Sequence, residues 1–386
     1  MIDQNYDAIV IGAGSIGVPT ALALGRRRLR TLVLEMRPSP GQGDNKHAIG
    51  GIRATHSAPA KIVACKRSLD IFTTWKDRWG DDIEWQRGGY IFPVYRQEEE
   101  TVLKDQLAIQ KQYGLNIDWV GPEAMAEAVP GLNRQGLRGG TISPDDGSAS
   151  SLLSINAFYR LACRLGATFR FKEPVRELVH TGGRVAGVKT DFGTYHAPVV
   201  VDAAGGLSGE LTRSMGCAMP VLPESHEAGI TEPVAMFCPA MVVDLRPAPG
   251  SKNYYFYQNP HGQIVFCITP DPAIKGTDTR STSVFLPQCC SRMIDLMPRL
   301  RNIRVRRVWR GLYPMTSDGS PLVGWNRDQP GLMHATGMCG QGYMLGPGIG
   351  EVVARAVADD MNDDDRMILD AFSPYRDLTC GEEALQ

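Results

Sequence analysis

Between residues 6 and 35 the chain runs through a short apolar stretch, Tyr6–Ile11, then Gly12-Ala13-Gly14-Ser15-Ile16-Gly17, then Thr20–Leu24. A second apolar run, Thr31–Leu34, ends on Glu35. The order is strand, glycine turn, helix, strand, acid. Gly12 permits the tight turn, Gly14 leaves room for a pyrophosphate against the backbone, and Gly17 lets the helix pack on the strand. The helix start offers unpaired N–H groups and the positive end of its dipole. Glu35, 21 residues beyond Gly14, falls where a carboxylate accepts ribose hydroxyls, and an acid there argues against a 2′-phosphate. A glycine turn that packs and binds nothing is the plain alternative, and the flanking strand, helix and acid weigh against it. Pro19 removes an N–H that the first helical turn leaves free, so the helix should tolerate it. Arg26, Arg27 and Arg28 close the helix, where cations suit its dipole.

The same region bears on the membrane question. Ala8–Gly25 carries no charge and has the length of a short span. Its flank is acidic (Asp3, Asp7) rather than basic, and its glycines and Pro19 interrupt it, so it reads as strand, turn and helix. With no second candidate, the expectation is a soluble, cytoplasmic protein without a transmembrane segment. At 386 residues the chain has room for two or three domains, at roughly 100–200 residues each. With 43% apolar and 22% charged residues it reads as globular rather than disordered. Forty-one basic against 42 acidic residues leave a net charge of −1, which calls for no nucleic acid. The nine cysteines show no CxxC or metal-ligand spacing, and only Cys289 and Cys290 are adjacent. That excludes a disulfide framework and a metal centre as first readings.

A nicotinamide dehydrogenase would repeat βα units after Glu35. Here a polar Gly/Pro stretch (Arg37–Gly51) follows, then helical patterns near Lys61–Arg78 and Glu98–Tyr113. Strand patterns return at Gly183–Lys189, Tyr195–Ala203, Tyr254–Tyr257, Ile264–Thr269 and Val305–Tyr313. The expected fold class is α/β: a nucleotide-binding fold interrupted by an inserted, mainly antiparallel sheet. Two later segments point back to the cofactor. Val199–Gly206 is a buried strand ending in small residues. Gly331–Glu351 reads as strand, glycine loop and helix start, with Pro347 in the first turn. A second helix start would stabilise the negative charge of a reduced flavin, which favours FAD.

The ordered set Asp7–Gly17 with Glu35, Gly51-Ile52-Arg53, Pro144–Gly147, Val199–Gly205, Glu224-Ser225-His226 with Thr231-Glu232-Pro233, Tyr254–Gly262 and Gly337–Gly350 resembles a known group. It is similar to the FAD-dependent amine and amino-acid oxidoreductases of the D-amino-acid-oxidase superfamily, nearest the sarcosine oxidase and proline dehydrogenase β-subunits and glycine oxidase. The resemblance implies a discontinuous FAD-binding Rossmann-like domain of glutathione-reductase type (residues 1–84, 144–220 and 318–386) interrupted by an α+β substrate domain with a mainly antiparallel sheet (85–143 and 221–317). It implies oxidation of a small amine or amino acid such as sarcosine, proline, glycine or an opine, by hydride transfer to flavin N5. Partner subunits of a hetero-oligomeric dehydrogenase are part of the same expectation. The alternatives are a 2-hydroxy-acid dehydrogenase on the same fold, and a flavin subunit active only within a hetero-oligomeric dehydrogenase.

The candidate cofactor contacts are Gly12, Gly14, Ser15, Ile16, Gly17, Glu35, Met36, Arg37, His47, Arg53, Val175, Ala203, Ala204, Gly205, Gly337, Gly340, Gln341, Gly342, Tyr343 and Met344. The candidate catalytic residues are Arg53, Tyr254, Tyr255, His47 and Met344. Arg53 is the fork for a substrate carboxylate, with pairing to Glu35 or Asp44 as its plain reading. Tyr255 and Tyr257 share a strand face and Tyr254 points the other way; in the resembling enzymes a Tyr on this strand lines the pocket. His226 reads first as structural, with general base as the sharper alternative. Arg304, Arg306, Arg307 and Arg310 read as a solvated strand face, with an acidic partner subunit as the sharper idea.

Two departures from the resembling enzymes matter. Their oxygen-promoting Lys on the C-terminal glycine loop corresponds to Met344, which favours a dehydrogenase. Their flavin-attaching Cys has no counterpart in Arg310–Thr316 (RGLYPMT), so non-covalent FAD is expected. The β-subunit's flavin-bearing His has none in Ser148–Ser154, which argues against a second flavin.

Overall fold

The computed structural model describes residues 5–379. Asp3 and the outermost ends of the expected FAD-domain segments, residues 1–4 and 380–386, lie outside the described residues. Ala8–Ile11 occupies the middle of a six-stranded sheet ordered Leu322–Trp325, Leu332–Thr336, Val200–Asp202, Ala8–Ile11, Thr31–Glu35, Thr168–Phe171. Every neighbouring pair is parallel except the first. The apolar runs are continuous because both faces are covered. Ala8, Val10 and Val33 face a core built with the helices Gly17–Arg26, Pro59–Trp79, Ser151–Arg164 and Gly342–Val357. Ile9, Ile11, Leu32 and Leu34 face a second core shared with an antiparallel meander, Val175–Thr181, Arg184–Thr190 and Gly193–His196.

A separate eight-stranded sheet runs in the order Val305–Met315, Leu222–Pro233, Gln263–Pro270, Ser251–Gln258, Met241–Asp244, Tyr90–Val94, Gly139–Ser143, Asp118–Val120. It is antiparallel apart from the Met241–Tyr90 pairing. Its Tyr254, Phe256 and Phe266 pack under the helix Phe285–Leu296, while Tyr90, Tyr257 and Val265 face the other way. This is the α/β class expected from the sequence, with the antiparallel sheet distinct from the parallel one.

Three local expectations change. Tyr195–Ala203 is two strands in two sheets, because Pro198 lacks a ladder donor and the chain crosses there. Pro347 is the sixth residue of its helix rather than part of the first turn. It removes one ladder bond, and the next free N–H, that of Gly348, donates to Ser68 Oγ at 2.9 Å. Arg310 leaves the exposed run: it is buried, and its guanidinium donates to the Arg280 carbonyl at 2.9 Å. The helices at Pro59–Trp79 and Gln97–Gln112 fall where the patterns placed them.

All described cysteines are free thiols, and no group among the described residues has the make-up of a metal site. No described helix is long and apolar enough to cross a membrane.

Candidate active site

The glycine turn is held tightly from behind. Gly12 has φ +104°, and a Cβ there would lie 2.5 Å from the Ala203 carbonyl; one on Gly17 would lie 1.9 Å from the Gly12 carbonyl. A Cβ on Gly14 meets nothing within 4 Å, so this glycine fronts an open groove. The Glu35 carboxylate accepts from Ala13 N at 2.8 Å and Arg37 N at 2.7 Å, which ties the acid to the turn. Gly205 has φ +58°, and a Cβ on it would lie 3.4 Å from Asp44 Oδ2, the oxygen that also accepts from Gly206 N at 3.4 Å. Met36 is exposed on the rim, and Val175 lies in the core with Leu32 and Leu34.

The second helix start closes onto this turn. Gln341 caps Gly342–Val357 and is buried, and its amide nitrogen and oxygen have no hydrogen-bond partner among the described residues. Asn45 Oδ1 and His47 Nδ1 are buried and unpartnered in the same sense. Buried amides without partners are costly. An open groove at Gly14 beside orphaned donors and acceptors suits a flavin dinucleotide.

A cavity lies between the glycine segments and the antiparallel sheet. Ser15, Ile16, Gly205, Gly340, Tyr343 and Met344 form one side; Tyr90, His226, Glu227, Tyr255, Cys267 and Tyr313 form the other. The segment Asp44–Gly51 crosses between them. It is tethered by Trp309 Nε1 to His47 O at 2.8 Å, Tyr257 Oη to Ile49 O at 2.6 Å, and Asn45 Nδ2 to Ser151 O at 3.0 Å. Gly311 is bare because a Cβ there would lie 2.5 Å from that of His47.

The cavity's titratable groups are pushed toward neutrality. Burial, then Lys46 and Arg307, lowers His47 to about 4. Burial, then Arg310 and Lys252, lowers His226 to about 3. Burial raises Asp44 against the N–H groups of Gly206 and Leu312, and raises the phenols of Tyr90, Tyr255 and Tyr313. Both imidazoles are therefore uncharged near neutral pH. His226 has neither ring nitrogen hydrogen-bonded among the described residues.

Of the candidate catalytic residues, His47, Tyr255 and Met344 line the cavity. Tyr254 does not: it is fully buried on the opposite sheet face, its ring centroid 5.9 Å from that of Phe256. Arg53 is also not among the lining residues. It lies buried behind the wall, 5.9 Å over the Tyr90 ring and 5.8 Å over Phe92, and donates to the Thr55 carbonyl. Beside it the Asp146 carboxyl is raised to about 6 by burial, with Arg53 pulling the other way. Sequence reasoning missed Tyr313, Tyr90, Glu227 and Cys267. Tyr313 had a signal: Trp309, Gly311 and Tyr313 alternate on one strand, so the bare position and the ring share a face.

Residues 7–356 match the family model described as "FAD dependent oxidoreductase". The chain belongs to that family. It is thus an FAD-dependent oxidoreductase. The chain is 26% identical to a glycine oxidase of Geobacillus kaustophilus (strain HTA426), over 92% of this chain and 93% of the relative. It is 24% identical to a 4-methylaminobutanoate oxidase (formaldehyde-forming) of Paenarthrobacter nicotinovorans, covering 92% of this chain but 44% of that longer protein. Identity to the sarcosine oxidase subunit beta of an Arthrobacter species is 23%, over 92% and 88% of the two chains. The L-proline dehydrogenase from P. horikoshii superposes with a TM-score of 0.90 at 26% identity, covering 96% of this chain and 97% of that one.

Proposed function

We propose that this FAD-dependent oxidoreductase oxidises the C–N bond of a small amino acid or secondary amine, of the sarcosine, proline, glycine or opine kind, to an imine that water then hydrolyses. Bound FAD supplies the hydride acceptor. The observation that carries the reading is the small cavity facing the glycine loops, whose wall offers two tyrosine hydroxyls and an imidazole unpartnered among the described residues. An amine must have its lone pair free before it loses hydride, and a neutral His226 can accept a hydrogen bond from the substrate N–H. Tyr255 and Tyr313 orient the remaining polar end, and Met344 and Tyr90 exclude water. The helix start at Gly342 favours negative charge next to it. The relatives named above as acting on glycine, 4-methylaminobutanoate, sarcosine and L-proline all carry C–N substrates in their names.

Met344 leaves this loop position without a cation, which favours delivery of electrons to a partner redox centre over oxygen. A partner subunit would then complete the enzyme.

An absorbance spectrum of the purified protein, followed anaerobically while sarcosine, proline, glycine, opines and 2-hydroxy acids are added, tests the reading. Bleaching of a flavin band by an amine and slow reoxidation in air is the expected result. Bleaching only by a 2-hydroxy acid overturns it.

A further inference from the structure

The cavity wall contains no lysine or arginine among the described residues, and its two carboxyl groups, Asp44 and Glu227, already accept from Gly206 N and from Thr282. The basic side chains around the cavity, Lys252 among them, lie outside this lining. Lys46 and Arg307 line an adjoining cavity of about 230 Å³ that shares Ala48 and Ile49 with this one. Arg310 turns to the Arg280 carbonyl, and Arg53 lies behind Tyr90. An amino acid bound here would bring a carboxylate into a desolvated space, where an unsatisfied anion is very costly. Something on the wall has to donate to it.

Two phenols meet at that wall. Tyr255 Oη and Tyr313 Oη are 3.1 Å apart, although their strands are separated in the sheet by Leu222–Pro233 and Gln263–Pro270. Tyr313 is clamped on both ring faces. His226 stacks on one side with centroids 3.7 Å apart and planes 13° apart. Gly340 lies on the other, where an added Cβ would come 2.3 Å from the ring. Gly340 has φ +78°, so two constraints keep the position bare and the phenol in place. When one phenol donates to the other, one O–H remains free, and neutral His226 adds one N–H. Hydrogen bonds from such neutral groups to an anion are short and strong without an ion pair.

We propose that the Tyr255–Tyr313 hydroxyl pair, with Tyr313 as the specificity-determining member, anchors the substrate carboxylate in place of an arginine fork. The proposal rests on the amine-oxidation reading for its substrate class. The carboxylate accepts from the phenols, and the amine N–H is left to the acceptor nitrogen of His226. Arg53 acts from behind as a positioning residue that holds Tyr90 and the Thr55 carbonyl.

The test uses flavin-loaded protein as wild type, Tyr313→Phe and Arg53→Met. Two probes are titrated anaerobically: sarcosine or L-proline, read by flavin bleaching, and acetate, read by perturbation of the flavin band. Tyr313→Phe is expected to raise the half-saturating concentration of both probes about tenfold or more, the usual weight of a hydrogen bond to a charged group. In turnover the loss falls mostly on KM rather than kcat. Arg53→Met is expected to change both by a smaller factor than Tyr313→Phe. A larger effect from Arg53→Met, an unchanged affinity in Tyr313→Phe, or no acetate-dependent change in the wild type overturns the proposal. Circular dichroism establishes that each variant is folded, and Tyr313→Trp, which keeps a ring against Gly340 but moves the donor, replaces Tyr313→Phe if that variant is not. A wild type that responds to acetate but is bleached by no amine sinks the amine-oxidation reading and leaves the carboxylate anchor standing.

Discussion

An added Cβ on Gly17 would lie 1.9 Å from a backbone oxygen, whereas one on Gly14 meets nothing within 4 Å. The two glycines therefore separate folding from binding. Gly14→Val should leave the fold intact, since the new side chain enters open space, and should abolish FAD retention because it fills the pyrophosphate groove. Flavin absorbance per mole of protein, beside a circular dichroism spectrum, checks this; a fully yellow variant would refute it. The same scale shows what a local pattern can reveal. Strand alternation put Tyr255 and Tyr254 on opposite faces, and they line the cavity and the core respectively. Arg53 is different. Its residue type suited a carboxylate, but the direction of its side chain depends on Tyr90, Phe92 and the Thr55 carbonyl, which are distant or unrevealing in sequence.

Among the elements, the helix Gly342–Val357 is the most constrained. A Cβ on Gly346 would come 1.9 Å from Ser15 O, one on Gly348 2.0 Å from Ala64 O, and one on Gly350 2.8 Å from Pro19. Three consecutive alternate glycines thus press the helix against the glycine turn, the long helix Pro59–Trp79 and the helix Gly17–Arg26 at once. Alanine favours a helix over glycine by about 1 kcal/mol, but overpacking a dense contact costs about 1–3 kcal/mol. Backbone at 1.9 Å cannot yield as a side chain would, so the clash wins. Gly346→Ala should lower the melting temperature and weaken FAD binding, and a melt of the variant beside the wild type decides it. An unchanged or raised Tm would show that the helix seats less tightly than its contacts imply. The pattern Gly-x-Gly-x-Gly was visible in the sequence, yet its three different partners were not. For the same reason the early placement of Pro347 gave way: Ser68 takes the N–H that follows it, and that contact spans 280 residues.

Across the whole molecule, the walls of the site come from the antiparallel sheet and from the turns that follow strands of the parallel one, with the Asp44–Gly51 segment strung between them. A ligand that touches both binds only the assembled state. Excess FAD should therefore raise the melting temperature of the apoprotein in a concentration-dependent way, by about 2.7 kcal/mol of stability at a hundredfold excess over Kd. Thermal melts at rising FAD concentration measure this, and Gly14→Val should show no shift. A wild type whose melt ignores FAD would contradict a site assembled from both parts of the fold.

The sequence by itself determined the nucleotide half. Its turn, helix start and acid are consecutive, and the glycines' roles follow from local backbone geometry and from how closely other atoms approach. The alternation of the later strands likewise predicted an antiparallel sheet. Only the tertiary structure decided the cavity wall. Tyr255, Tyr313 and His226 meet through strand order, and Arg53 leaves the wall because aromatic rings stand in front of it. Strand order and side-chain direction depend on contacts between residues far apart in the chain, and no local period encodes them.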